Sequence, residues 1–215
     1  MTAPPGRRTL AVAAVLAAVT AGTGCTGGNA KGGAFRPSGQ AATPSPSVAG
    51  EVARFPFAPD TQVVFETPAP ADAVQTRVYA DFRYLFAAYY YAGQVQGRDH
   101  RYEDRLVGTE RSVFAGTLTK LAGDHKAPWG TVRFFDTQVT AVYGAGAAVE
   151  TCVDESRFGT KDARSGKPDA GSTPSAKKSL YRIRAGMQRG GDGVWRLVSY
   201  ETDKLPDPLA KGCQQ

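Results

Sequence analysis

Histidine is nearly absent from this 215-residue chain, which has only His100 and His125, both set among charged residues. Cysteine is scarce too, at positions 25, 152 and 213 only. Ligands so few and so scattered exclude a zinc site of ordinary Cys/His spacing, and neither metal nor cofactor is expected. There is no dense Lys/Arg block. The formal charge of +6 is spread along the chain, which leaves no footprint for nucleic acid. There is also no apolar run of the about 20 residues that a helix needs to cross a bilayer.

What is present begins at the N-terminus. Arg7-Arg8, an apolar stretch from Leu10 to Ala21 and Gly22-Thr23-Gly24-Cys25 are the parts of a secretory signal. The small residues before Cys25 resemble the lipobox of bacterial lipoproteins, with Gly22 where such sequences prefer leucine. Residues 1–24 are therefore expected to be removed and Cys25 to carry the lipid. That would place the protein outside the cytoplasm, anchored to the outer leaflet of the cell membrane. An ordinary signal peptide and an uncleaved anchor are the plainer alternatives. Loss of Arg7 and Arg8 with the signal leaves 24 basic residues against 20 acidic ones, a net charge of +4. So mild a balance is ordinary solubility charge, although it also suits anionic headgroups near an anchor.

Residues 25–50 are rich in Gly, Ser, Thr, Pro and Ala and read as a flexible tether. Residues 51–70 carry Phe55, Phe57, Val63, Val64 and Phe65 between prolines, and read as an extended arm packed on the domain. The folded domain is expected over 71–215, long enough for one core. Val74, Val78, Phe82, Leu85, Phe86 and Tyr89 recur at steps of three and four, which predicts a helix over 71–92. A second helix is predicted over 109–121, with Val113, Phe114, Leu118 and Leu121 on its apolar face. Strands follow at 131–143, 147–154, 179–188 and 194–202, with a disordered polar hairpin loop at 158–176. Helices followed by consecutive antiparallel strands predict an α+β domain with the helices packed on one sheet face. In an oxidising compartment the even pair Cys152 and Cys213 is expected to form a disulfide. Closing about 60 residues would contribute about 4 kcal/mol on the loop-entropy account.

Four local features carry a resemblance. They are the aromatic helix Tyr79 to Tyr91, the helix start Gly108-Thr109-Glu110, the strand end Cys152-Val153-Asp154 and the hairpin Asp192-Gly193-Val194-Trp195, with Cys213 beyond it. In this order they resemble the NTF2-like, or cystatin-like, α+β cone superfamily, and within it secreted actinobacterial lipoproteins. The resemblance implies a curved antiparallel sheet wrapped on N-terminal helices around a conical pocket. It implies no reaction, because the fold hosts enzymes and non-enzymes alike.

Tyr79, Phe86, Tyr90 and Glu150 are the candidate pocket residues. A non-catalytic role follows, binding a small apolar ligand or an envelope protein. One rival is an enzyme of the cyclase or isomerase type, whose pocket carboxylate would be Asp81, Asp136, Glu150 or Asp154, with Tyr79, Tyr90 or His100 as partner. The plainer reading sets Asp81 on the solvated side of its helix and Asp154 at a strand end. It also puts Phe86 and Tyr89 in the core, with Tyr84 and Tyr91 at its rim. The second rival is an assembly module, including a homodimer through the open sheet face. Arg133, Arg182, Arg184 and Arg196 would form a basic stripe on that face, either solvated or suited to an acidic polymer. Trp195 belongs to the core, and Gly190 to Gly193 form a turn. If Cys25 is acylated, the wild-type protein extracted from membranes will partition into detergent and carry lipid mass, and Cys25→Ala will do neither. A soluble, unacylated wild type would overturn the anchor.

Overall fold

A computed structural model describes residues 55–67, 72–172 and 179–214. The signal 1–24, the tether 25–50 with Cys25, and residues 51–54, 68–71, 173–178 and 215 lie outside them.

The first element among the described residues is a strand, β1 (Thr61–Phe65). The helix α1 (Ala73–Gln94) follows, a 3-10 turn at Arg101–Arg105, and then α2 (Thr109–Gly123). The strands β2 (Lys126–Tyr143), β3 (Gly146–Asp162), β4 (Leu180–Arg189) and β5 (Trp195–Lys204) come next, and α3 (Pro208–Lys211) closes the chain. The sheet order is β1-β2-β3-β4-β5. β2 to β5 form an antiparallel meander, while β1 runs parallel to β2, from Thr61 opposite Gly130 to Phe65 opposite Phe134. The domain is therefore α+β with a five-stranded mixed sheet and three helices, an arrangement compatible with a cone. The wholly antiparallel sheet expected from the sequence is corrected by β1. The prolines around the arm hide a strand of five residues at the sheet's edge, where proline is tolerated.

Asp72 caps α1, accepting hydrogen bonds from the backbone N–H groups of Val74 and Gln75, both at 2.8 Å. The helix buries Val78, Phe82, Leu85 and Phe86. Phe86 meets Phe134 of β2 at 5.2 Å between ring centroids, and Phe134 stacks on Phe65 at 4.7 Å. The edge strand, the central hairpin and the long helix thus share one aromatic core.

Asp81 departs from the expectation that it faces solvent. It is 0 % exposed. Its Oδ2 accepts from the backbone N–H of Trp195 at 3.0 Å and from Arg77 Nε at 3.2 Å, and its Oδ1 accepts from Arg105 Nε at 3.2 Å. One carboxylate therefore joins α1, the 3-10 turn and the start of β5. A buried charge is tolerated only when it is paired and hydrogen-bonded in this way.

β2 and β3 form a long hairpin whose register shifts three times, between Thr131 and Arg133, Phe135 and Gln138, and Val139 and Ala141. Such irregularities bend a strand and increase its twist. Gly130, at φ +87°, lies beside the first of them, and a Cβ there would sit 2.0 Å from the Arg157 carbonyl oxygen. Only glycine fits so close an approach. A second correction concerns Phe158 to Asp162, expected in a disordered loop. These residues continue β3 and pair with Lys126 to Gly130. The turn beyond is held by Asp169, whose Oδ2 accepts from Thr160 Oγ1 and pairs with Lys126, both at 2.8 Å.

Neighbouring strand residues point to opposite faces, and the two faces differ. Phe134 and Val153 join the main core under the helices. Phe135 and Cys152 form a small outer cluster with Cys213 and Leu180. There Cys152 and Cys213 form a disulfide, with Cα atoms 5.5 Å apart, joining the segment after α3 to the middle of β3. The arginines expected as a basic stripe are neutralised by acidic neighbours: Arg133 by Glu66, Arg182 by Glu150, Arg184 by Glu201 and Asp203, and Arg196 by Asp192.

Asp81→Ala is expected to lower the unfolding free energy by about 3 kcal/mol, because it strands Arg105 and the Trp195 N–H. Arg77→Ala, at a half-exposed partner, should cost less than about 1 kcal/mol. Urea denaturation measures both, and equal costs would remove Asp81 from this central role.

Candidate functional site

Two helices and the inner sheet face enclose a cavity of about 380 Å³. Helical spacing builds two of its walls. Phe86, Tyr89, Tyr90 and Gly93 succeed one another on α1 at steps of three, one and three, and Phe114, Thr117, Leu118 and Leu121 do the same on α2. Gly93 packs against the Pro128 ring and Leu118, and a Cβ there would meet them at ordinary contact distances of 3.4 Å and 3.5 Å. The sheet contributes Pro128 from β2, Glu155, Phe158 and Thr160 from β3, Tyr181 from β4 and Tyr200 from β5. Val113 forms part of the lining while 52 % exposed, so it marks the rim. Its place on the buried face of α2, expected from the sequence, is corrected accordingly.

The polar centre of this cavity is Glu155. Its Oε1 accepts from Tyr90 Oη at 3.1 Å and from Tyr181 Oη at 3.0 Å. Burial pushes the carboxyl pKa above the usual glutamate range, and the two phenol donors oppose that rise only in part. Burial also raises the phenols. Tyr89 is pushed up to about 12, and Tyr90, Tyr181 and Tyr200 are raised as well. All four are therefore protonated near neutrality and available as hydrogen-bond donors. The rings pack edge to face, Tyr90 against Phe158 at 5.2 Å and Tyr89 against Phe114 at 4.7 Å. The walls are thus rigid and aromatic, with one carboxyl group for orientation.

Of the pocket residues expected from the sequence, Phe86 and Tyr90 line this cavity, while Tyr79 and Glu150 do not. The Tyr79 hydroxyl donates to the Glu66 carbonyl behind α1. Glu150 lies on the outer face, paired with Arg182 at 3.0 Å. The other acid candidates are also elsewhere. Asp81 is enclosed by its own partners. Asp136 is exposed at positive φ in a bulge and accepts from Gln138 Nε2. Asp154 accepts from the Ser156 N–H, and His100 is exposed beside Glu103. Among the described residues no three His, Cys, Asp or Glu side chains converge on a possible metal site. No helix among them is long and apolar enough to span a membrane.

Glu155 is the residue that sequence reasoning missed. A signal existed, because Val153 and Glu155 share a face at a spacing of two, opposite Cys152 and Asp154. The strand was expected to stop at Asp154, so the alternation was not carried one step further.

No family model matches the chain, and no curated protein does either. Among solved structures it is similar to a protein from Novosphingobium aromaticivorans named as a candidate aromatic ring hydroxylase. The identity is 15 %, over 61 % of this chain and 91 % of that one, with a TM-score of 0.38. It is also similar to a protein from Catenulispora acidiphila at 13 % identity, over 60 % of this chain and 92 % of that one, with a TM-score of 0.39.

The raised carboxyl sets a pH dependence. Folded Glu155 holds its proton more tightly than the unfolded chain does. Its contribution to stability is therefore complete below the ordinary glutamate pKa of about 4.3 and is lost as pH rises through the higher folded value. Thermal unfolding of the wild type should fall relative to Glu155→Gln across that window. Parallel pH profiles for the two proteins would show that the carboxyl is not perturbed.

Proposed function

We propose that this chain is a lipid-anchored extracytoplasmic protein with a cone domain of the NTF2-like kind, which binds a small, largely apolar molecule in the cavity between α1, α2 and the inner sheet face. The observation that carries the reading is the cavity itself. At about 380 Å³ it falls within the range of small-molecule sites, and its walls are apolar apart from a few converging polar groups. The lipobox-like segment before Cys25 supports the location, and so does the Cys152–Cys213 disulfide, since such bonds persist in oxidising compartments.

Binding is favoured over chemistry because the partners of Glu155 are two phenols, which donate to it and supply no second acid–base group that titrates near neutrality. Among the described residues the lining holds no second carboxylate and no histidine, and the phenols around Glu155 are held protonated by burial. One observation favours an isomerase-type reading instead: an apolar wall that raises a carboxyl pKa can also prepare it to move a proton near neutrality.

Val113→Trp, placed at the exposed rim, blocks the cavity without disturbing the core. The wild type should bind 1-naphthol with a dissociation constant in the micromolar range by calorimetry, and Val113→Trp should weaken this at least about tenfold. Equal binding by the two proteins would remove the cavity from the function. Exchange of the α-protons of 2-tetralone in D2O separates the readings. Acceleration that is lost in Glu155→Gln would establish proton transfer, and exchange at the buffer rate supports a binding module.

A further inference from the structure

The charge inventory of the cavity is one-sided. Among the described residues its lining carries one carboxyl group, four tyrosines and three phenylalanines, with no lysine, arginine or histidine. The nearby Lys204 is exposed and sits over the Tyr181 ring, 5.9 Å from its centroid, outside the lining. Resting on the reading of this cavity as a binding site, we propose that it selects an organic cation: a protonated amine or quaternary ammonium on a compact apolar body, with its charge seated beside Glu155.

Three physical arguments converge on that class of ligand. A carboxylate among aromatic walls has lost much of its hydration, and an opposite charge returns more of that loss than a neutral donor can. Oε1 is occupied by the Tyr90 and Tyr181 hydroxyls, whereas among the described residues Oε2 accepts no hydrogen bond. One carboxylate oxygen thus remains for an incoming N–H. The aromatic rings supply the rest. Tyr90 and Phe158 stand at 87° to one another, and Phe114 and Tyr200 at 76°, so neighbouring walls meet nearly at right angles. Ring faces are the negative parts of the aromatic quadrupole, and a cation of either ammonium type seated over one of them is attracted.

Anionic ligands meet the opposite field. They would face Glu155, and among the described residues no basic side chain lines the cavity, since Lys204, whose charge reaches Glu155, lies outside the lining. A neutral alcohol would gain one hydrogen bond and the same apolar contact, without the electrostatic gain.

The test is calorimetry on the detergent-solubilised full chain with 2-phenylethylamine, 2-phenylethanol and phenylacetate, three probes of nearly equal size. Val113→Trp serves as the blank for partition into detergent. On the wild type the amine is expected to bind at least about tenfold more tightly than the alcohol, with phenylacetate weakest. Glu155→Gln should bring amine and alcohol within about threefold of one another by weakening the amine alone. The wild-type ranking decides the matter even if that variant fails to fold. If the alcohol or phenylacetate equals the amine on the wild type, cation selection is overturned while the cavity remains a binding site. If none of the three binds above the Val113→Trp blank, both readings fall together.

Discussion

The buried carboxylate of Asp81 is the constraint on which the arrangement of helices and sheet depends. An apolar helix packed on a sheet can slide or rotate by small steps at little cost, because hydrophobic contact is not directional. A charge enclosed by two guanidinium groups and a backbone N–H cannot, since any displacement leaves a buried polar group unpaired. Asp81 therefore fixes both the height and the rotation of α1 against β5. That rotation presents Phe86, Tyr89, Tyr90 and Gly93 to the same space as Tyr200, which β5 carries five residues beyond Trp195. The cavity inherits its shape from a salt-bridged contact outside its own walls.

The sheet separates two kinds of chemistry. The inner face is aromatic and carries Glu155. The outer face carries the disulfide and arginine–carboxylate pairs along β3, β4 and β5. The bent β2–β3 hairpin makes the separation possible. Two of the register shifts place an extra residue on β2 and the one near Gly130 places it on β3, so that odd-numbered Glu155 and even-numbered Phe158 and Thr160 all reach the same cavity. Gly130 is where this bending brings two backbones too close for any side chain.

Several elements were legible in the sequence because they obey a single period. The apolar steps of α1 predicted its course within two residues at either end, and the alternation Tyr181, Ile183, Ala185, Met187 predicted the buried face of β4. The pairing of Cys152 with Cys213 followed from arithmetic. What escaped the sequence depended on partners far away along the chain. Asp81 looked solvated because its decisive contact is the Trp195 N–H, 114 positions distant. The parallel strand β1 was hidden by prolines, and the far half of β3 by its polar composition, since only pairing with Lys126 to Gly130 makes it a strand. Glu150 was placed on the wrong face, and Glu155 lay one residue beyond the expected strand end. Glu150 shares its face with Cys152, so the disulfide on the outer face takes Glu150 with it, while Val153 and Glu155 face inward.

The disulfide also changes what a break in the chain would do. Cys152 and Cys213 bracket the far half of β3, all of β4 and β5, and the long polar connection between β3 and β4. A protease that cuts anywhere inside this bracket produces two polypeptides that remain covalently joined, with Tyr90 and Tyr181 on different pieces whenever the cut falls in that connection. The domain is built to persist as a two-chain molecule, and only reduction would let a nicked copy come apart.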